Sequence, residues 1–280
     1  MFPLSYNTNG LRNMPLFKAI DEVSKAGYEG IELSFHSAHF HPFSASKSDL
    51  NEIKNALKQS SAKPICIAAG AADLLGNEPF EPSLISPDQN GREQRIKLIC
   101  RALEIADILG VPVVNFASGM INEGVNPEEA RRNLISGIRV CLDSAKGVIL
   151  AIEPEPNMFI ETSTQAIALI NEIGCPNLKL NLDIGHVQCC EDNLLDSIAK
   201  ALSYTRHIHI EDIKGKIHHH EIPGEGDIDF YSVFRALRDY GYHYYLSVEL
   251  YHHMDVWEKA LFQSHTHLLG IIKKIKEEKR

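Results

Sequence analysis

Residues 150–156 read LAIEPEP, an apolar run that ends on two carboxylates, Glu153 and Glu155, each followed by a proline. The run has the length and composition of a buried strand. A buried strand that stops on paired acids suggests that these carboxylates hold something at the strand end. The rest of the sequence indicates what fold surrounds this strand and what the acids face.

Short apolar runs alternate with longer amphipathic segments along the whole chain. Eight runs are typical of strands, namely PLSYN (3–7), GIELSF (30–35), PICIAAG (64–70), VPVVNFA (111–117), VILAIE (148–153), LKLNLD (178–183), HIHIED (207–212) and YLSVEL (245–250). The segments between them have apolar residues at helical spacing, and one helical segment opens with Pro127 in its first turn.

Strands repeating every thirty to fifty residues or so, each followed by a helix, predict a closed parallel (β/α)₈ TIM barrel, an α/β fold. No linker or composition change divides the chain, so residues 1–280 are expected to form one domain. The alternative is an open doubly wound sheet, but no G-x-G-x-x-G follows the first strand, which disfavours its dinucleotide-binding form. The longest irregular stretch, residues 71–91, follows the third strand and is expected to lie over the barrel mouth.

The composition limits the partners and the compartment. The formal net charge is -9 and no long basic block occurs, which disfavours nucleic-acid binding. No apolar run reaches membrane length, and the first ten residues do not resemble a signal peptide. Six cysteines without CxxC spacing are typical of reduced, buried residues, and a secreted disulfide framework is the weaker interpretation. We therefore expect a cytoplasmic protein with neither nucleic-acid nor membrane partners.

Four neighbouring strands carry metal-ligand side chains at their ends. Strand five closes on Glu153, strand six on Asp183, strand seven contains His209 and strand eight closes on Glu249. Active sites of such barrels lie at the carboxyl ends of the strands, so these four groups are expected to converge. Carboxylates and an imidazole would repel or desolvate one another without a cation, which predicts one divalent ion, Mn²⁺, Zn²⁺, Co²⁺ or Mg²⁺.

Residues two positions before these candidate ligands test the prediction, because they should face the barrel interior one layer lower. They are small or polar where a plain core would be aliphatic: Ala151, Asn181, His207 and Ser247. We expect His207 and Asn181 to orient the ligands by hydrogen bonds. Glu155 lies two residues beyond Glu153 on the same face and is expected to contact substrate.

Four motifs in this order, LAIEPEP, LNLDIGH, HIHIED and IPGEGDIDF, resemble the xylose isomerase-like barrel superfamily, in particular its sugar phosphate isomerase/epimerase branch. The resemblance covers nearly the whole chain. It implies that Glu153, Asp183, His209 and Glu249 bind one divalent ion, and that Glu153 and Glu249 also form the catalytic acid/base pair. It further implies that His186 contacts a substrate oxygen.

Apurinic-site endonucleases of the same superfamily bind three zinc ions, with extra histidines on strands three and four that this chain lacks. They carry Asp-x-His where this chain has His218 and His220, so a second ion held partly by His186 and His220 stays open. Of the HHH run, only His220 is assigned to the site, as a substrate-binding residue. Glu221 occupies the place of a substrate-binding arginine of ketose epimerases.

The sequence therefore predicts an enzyme of carbohydrate metabolism: a metal-dependent isomerase or epimerase of a sugar, sugar phosphate or polyol-like hydroxy-carbonyl compound. Glu-mediated proton transfer would pass through a metal-bound enediolate. Two alternatives remain open, a metal-dependent lyase, dehydratase or hydrolase on the same barrel, and a noncatalytic sugar-binding barrel. The expected partner is a small carbohydrate, and association into a homo-oligomer is left open.

Overall fold

The computed structural model describes residues 2–70, 74–76, 80–121 and 125–278. Its centre is a closed barrel of parallel strands that pair in chain order, with the last strand returning to the first. The strands are β1 Leu4–Asn7, β2 Gly30–Ser34, β3 Lys63–Ala68, β4 Val113–Ala117, β5 Ile149–Glu153, β6 Leu178–Asp183, β7 Thr205–Ile210 and β8 Leu246–Val248. All eight predicted strands are confirmed, and the closed order rules out the open doubly wound sheet.

Helices connect consecutive strands. Those of the described residues are α1 Leu16–Lys25, α2 Lys47–Gln59, α3 Gln89–Leu109, α4 Pro127–Asp143, α5 Ser163–Ile173, α6 Ile184–Cys190, α7 Leu194–Ala201, α8 Phe230–Asp239 and α9 Trp257–Glu277. Pro127 starts α4 as predicted, because the side chain of Asn126 caps the helix by accepting hydrogen bonds from the next free N–H groups. None of these helices is long and apolar enough to span a bilayer.

The alternation within β7 shows how strands position the polar interior. Ile208 and Ile210 belong to the main apolar core that the strands share with the surrounding helices. His207 and His209, the intervening residues, both contact Glu32 on β2, a strand that is not adjacent to β7 in the barrel. Side chains from distant strands can meet only inside the barrel, so its interior near the mouth is polar rather than aliphatic.

A buried arginine fixes part of the loop after β3. Residues 71–73 and 77–79 of the predicted irregular stretch lie outside the described residues. Arg95 of α3 donates from Nε to the carbonyl of Pro82 (2.8 Å) and from Nη2 to the carbonyl of Phe80 (3.0 Å). Burial lowers the pKa of Arg95 to about 10, so the guanidinium stays charged at neutral pH.

Replacing Arg95 by Met should lower the free energy of unfolding by roughly 2–4 kcal/mol, because the loop carbonyls lose a buried, charged donor. Urea unfolding followed by circular dichroism measures this change. Arg139→Met, on an exposed position of α4, is the control and should change stability by less than about 0.5 kcal/mol. Equal stability of the two variants would contradict the role given to Arg95.

Candidate metal centre and active-site cavity

The four predicted metal ligands converge at the mouth of the barrel. Glu153 ends β5, Asp183 ends β6, His209 lies in β7 and Glu249 directly follows β8. All four are buried, and their donor atoms lie within 4.8 Å of one another. The Nδ1 atom of His209 lies 2.8 Å from a Glu153 oxygen, 3.7 Å from one of Asp183 and 3.5 Å from one of Glu249. We call these four residues the four-ligand centre.

The two carboxylate oxygens of Asp183 have different roles: one caps a helix, and the other faces the four-ligand centre. Its Oδ1 accepts a 2.8 Å hydrogen bond from the N–H of His186 and so caps the first turn of α6. Its Oδ2 faces His209, is buried and has no hydrogen-bond partner among the described residues. A buried anionic oxygen without a donor is costly, whereas it is a suitable ligand for a hard or borderline divalent cation.

Without a cation, the buried carboxylates of the four-ligand centre repel one another and shift the pKa values of the groups around them. Burial, together with the neighbouring charges of Glu153 and Asp183, raises the pKa of Glu249 to about 8. Burial alone would lower the pKa of His209, but Glu32, Glu249 and Glu153 raise it well above its ordinary value. Without a cation these shifts favour protonated groups in the centre, and a divalent cation would displace the protons, since metal ligands must be deprotonated.

Glu32, in the middle of β2, is a buried acceptor that the sequence analysis did not identify. Its carboxylate accepts hydrogen bonds from His207 Nε2 (2.9 Å), Asn115 Nδ2 (2.9 Å) and Ser247 Oγ (2.7 Å). It also accepts from His209 Nε2 at 3.1 Å. Of the two residues predicted to orient ligands, His207 thus acts on Glu32, whereas Nδ2 of Asn181 lies 3.3 Å from Nδ1 of the ligand candidate His209.

The bond between Glu32 and His209 sets the direction of the imidazole ring. Because Nε2 donates to Glu32, the opposite nitrogen, Nδ1, faces the carboxylates of the centre. Carboxylates in this position fix the orientation and raise the basicity of metal-binding histidines. The signal for Glu32 in the sequence is an acid inside the apolar run GIELSF, in the middle of a predicted strand rather than at its end.

Glu32→Gln should weaken binding of a divalent ion by about 10- to 100-fold, because the amide replaces the acceptor that fixes His209. Mn²⁺ affinity, measured by competition with a chelating dye, tests this. Glu29→Gln is the matched control, since Glu29 is exposed just before the same strand. Unchanged affinity in a folded Glu32→Gln protein would show that His209 needs no partner.

Side chains of β1 and of the turn after it also fix the position of Glu249. Its Oε1 accepts hydrogen bonds from the side-chain amides of Asn7 and Asn9, each at 2.9 Å. In the sequence, both asparagines have the character of ordinary turn-forming residues. They leave Oε2 of Glu249 directed at His209.

A cavity of about 290 Å³ opens above the four-ligand centre. Glu153 and Glu249 line it together with all three predicted substrate-binding residues, Glu155, His186 and His220. Burial and the charges of Glu153 and Glu249 raise the pKa of Glu155 well above its usual range. The structure therefore places the predicted proton-transfer and substrate-binding residues around one space.

His218 lies with His186 and His220, although the sequence analysis left it out. Its Nε2 is 3.0 Å from Nε2 of His186 and 3.2 Å from Nε2 of His220. Burial and His186 lower the pKa of His218 to about 4, and burial lowers that of His220 well below its ordinary value. We call these three residues the histidine triad.

Glu211 is a further buried acid that the sequence did not assign to the site. Its pKa is raised well above the usual range by burial and by the charge of Asp183. Glycine at 185 makes room for it, since a Cβ there would lie 1.7 Å from Glu211 Oε1. The raised pKa favours the protonated form of Glu211, which packs against the start of α6 and would add no negative charge beside Asp183.

Comparison with known proteins agrees with the fold. Residues 20–268 match the model of the xylose isomerase-like TIM barrel family, and the chain belongs to that family. Hydroxypyruvate isomerase of Escherichia coli is 23% identical over 236 residues, covering 82% of this chain and 85% of the relative. The 2-oxo-tetronate isomerase of Haemophilus influenzae is 26% identical over 243 residues, covering 84% and 88%.

Two solved structures share the fold. A D-tagatose 3-epimerase-like protein has a TM-score of 0.85 at 19% identity, with all of both chains covered. The IOLI protein, solved with a bound zinc atom, has a TM-score of 0.80 at 21% identity, covering 98% of this chain and 99% of that one. The family and the relatives confirm the predicted fold and the predicted enzyme class, an isomerase or epimerase.

Proposed function

We propose that this protein is a divalent-metal-dependent isomerase or epimerase of a small hydroxy-carbonyl compound. The observation that carries the proposal is the four-ligand centre, in which buried carboxylates and an imidazole converge at the floor of the cavity. The unpartnered Oδ2 of Asp183 and the Nδ1 of His209 supply the mixed oxygen and nitrogen ligands that such an ion needs. When bound, the ion would act as a Lewis acid that polarises the substrate carbonyl.

Glu153 and Glu249 are assigned the proton transfers. Both line the cavity, and they approach it from β5 and β8, on opposite sides of the arc of ligands. One carboxylate would remove the proton from the carbon next to the carbonyl, and the other would return a proton to the enediolate. The pKa of Glu249, raised to about 8 by burial and its acidic neighbours, lies near the range that serves acid/base catalysis at neutral pH.

The remaining lining residues indicate the kind of substrate. His186 and His220 present ring nitrogens to the cavity, which suits hydroxyl and carbonyl oxygens. Arg12 lines the rim, and its buried Nε has no hydrogen-bond partner among the described residues. Glu221, which occupies the place of a substrate-binding arginine of ketose epimerases, instead forms an ion pair with Lys214, with Nζ 3.3 Å from its Oε1. We infer that Arg12 receives the negative end of a short oxo-acid, the class to which hydroxypyruvate and 2-oxo-tetronate belong.

Three further features are proposed from the whole chain. All six cysteines are free, which supports a reducing, cytoplasmic location. The net charge of -9 supports a small-molecule substrate rather than a nucleic acid. The continuous barrel supports a single domain over residues 1–280.

Removing the metal should destabilise the protein, because an ion that binds only the folded state contributes binding free energy to stability. We expect about one Mn²⁺ per chain at the four-ligand centre, and a lower Tm after treatment with a chelator. His209→Ala is the control, since a protein without this ligand should show little change of Tm with the chelator. A Tm of the wild-type protein that is indifferent to Mn²⁺ and chelator alike would exclude the ion.

Replacing Glu153 or Glu249 by Gln should reduce turnover by roughly 100- to 10,000-fold, since the amide keeps a ligand oxygen but cannot accept a proton. Substrates to test are hydroxypyruvate, 2-oxo-tetronate, D-allulose and D-tagatose. Proton NMR in heavy water separates the two roles: one variant should exchange the substrate hydrogen without forming product, and the other should not exchange it.

Glu129→Gln, on the exposed face of α4, is the matched control and should retain wild-type turnover. Near wild-type activity of both metal-bound Gln variants would limit Glu153 and Glu249 to binding the ion. Loss of water from every substrate that reacts would identify a dehydratase and contradict the proposed reaction.

A further inference from the structure

The side chain of Asn9 lies between Glu249 and the active-site cavity. Asn9 belongs to the 3₁₀ turn Thr8–Leu11 that follows β1. Its Nδ2 donates a 2.9 Å hydrogen bond to Oε1 of Glu249, and the residue lines the cavity. Its Oδ1 is buried and has no hydrogen-bond partner among the described residues. The nitrogen of this amide is thus bound to the protein, whereas its oxygen is an unused acceptor.

The surroundings of Asn9 fix the orientation of its amide. A carboxylate that ligates a cation is deprotonated and only accepts hydrogen bonds, so Nδ2 rather than Oδ1 must face Glu249. The backbone N–H of Asn9 donates to Oδ1 of Asn7 at 3.0 Å, which holds the turn in place. With the backbone held and the amide unable to flip, Oδ1 of Asn9 is a fixed acceptor in the cavity wall.

Asn7 offers a contrast that isolates this unused oxygen. Asn7 also donates to Oε1 of Glu249 at 2.9 Å, but its own Oδ1 accepts the N–H of Asn9. Asn7 is not among the described residues that line the cavity, whereas Asn9 is. Buried polar atoms without a partner are rare in folded proteins, because an unused acceptor costs free energy. Asn9 therefore has an oxygen for which the protein supplies no donor and a bound molecule can.

We propose that Asn9 is a specificity-determining residue whose Oδ1 accepts a hydrogen bond from a substrate hydroxyl beside the reacting carbons. The inference rests on the proposed isomerase function. An amide carbonyl only accepts, so its ligand is a donor, and hydroxyls are the donors of a polyol-like compound. The two reacting oxygens face the four-ligand centre, so the hydroxyl for Asn9 belongs to the next carbon. Because the same amide binds Glu249, this hydroxyl lies next to the carbon that Glu249 serves.

The contact with Asn9 narrows the class of substrate. A short oxo-acid with its carboxylate at Arg12 and its reacting oxygens on carbons 2 and 3 needs a fourth carbon to bring a hydroxyl to Asn9. A three-carbon oxo-acid has no such hydroxyl and leaves Oδ1 unpaired. Sites built to hydrogen-bond a substrate group discriminate strongly against analogues that lack it. The preferred substrates therefore have four or more carbons, with a hydroxyl on the carbon after the reacting pair.

Binding of two unreactive acids tests the role of Asn9 without any turnover. Erythronate carries hydroxyls on carbons 2, 3 and 4, and its 4-deoxy analogue lacks only the last of them. Titration calorimetry of the Mn²⁺-loaded wild-type protein should give a dissociation constant about 10- to 100-fold lower for erythronate, because the analogue leaves a buried acceptor unpaired. Asn9→Ala should bind the two acids with similar affinity.

Asn7→Ser is the matched control, because both asparagines donate to the same oxygen of Glu249. The serine hydroxyl can still accept the N–H that holds the turn, so Asn9 stays in place. Both variants should lower turnover, since each loses one donor to Glu249. Loss of the preference for erythronate should occur in Asn9→Ala and not in Asn7→Ser.

Equal affinity of the wild-type protein for the two acids, or no binding of either, would overturn the inference. A preference for erythronate that survives in Asn9→Ala would do the same. If Asn9→Ala does not fold, wild-type crystals with Mn²⁺ and erythronate decide: the hydroxyl of carbon 4 should lie within hydrogen-bond distance of Asn9 Oδ1, and a hydroxyl bound elsewhere refutes the role. The proposed function fails separately, when the wild-type protein binds erythronate as expected but converts no oxo-acid or ketose.

Discussion

A buried carboxylate, Glu32, holds the imidazole of His209 inside the barrel, and the orientation of the four-ligand centre follows from this contact. Glu32 is fully buried and is the acceptor for donors from β4, β7 and β8. Removing one partner of such a buried pair typically costs about 3–5 kcal/mol, because the other charge is left without compensation. The interior of the barrel is therefore built around a charge, and its polar residues are those that this charge requires.

The strand ends could be predicted from sequence because the information is local. Each apolar run shows where a strand stops, and the barrel rule says that such ends converge, so Glu153, Asp183, His209 and Glu249 followed without coordinates. Glu32 could not be found in this way. It lies in the middle of a run, and its partner His209 is 177 residues further along the chain, so the contact exists only once the barrel has closed.

The triad shows a different limit of sequence reasoning. In the HHH run, nothing in the letters says which histidine faces the cavity, since the run lies outside any strand or helix. The direction comes from a two-residue antiparallel bridge, in which the backbones of Asp212 and Glu221 exchange hydrogen bonds of 2.8 Å. This bridge ties the segment to the end of β7. His220 and His218 then share one side of the segment, and His219 takes the other.

The backbone carbonyls that hold the triad belong to the strand ends that carry the two catalytic candidates. Pro154, which follows Glu153 in LAIEPEP, anchors His186, and Glu249 itself anchors His220. A shift of either strand end therefore turns an imidazole with it, so the triad and the four-ligand centre are mechanically linked. Binding at the four-ligand centre that moves either strand end would therefore also change the direction in which His186 or His220 faces the cavity.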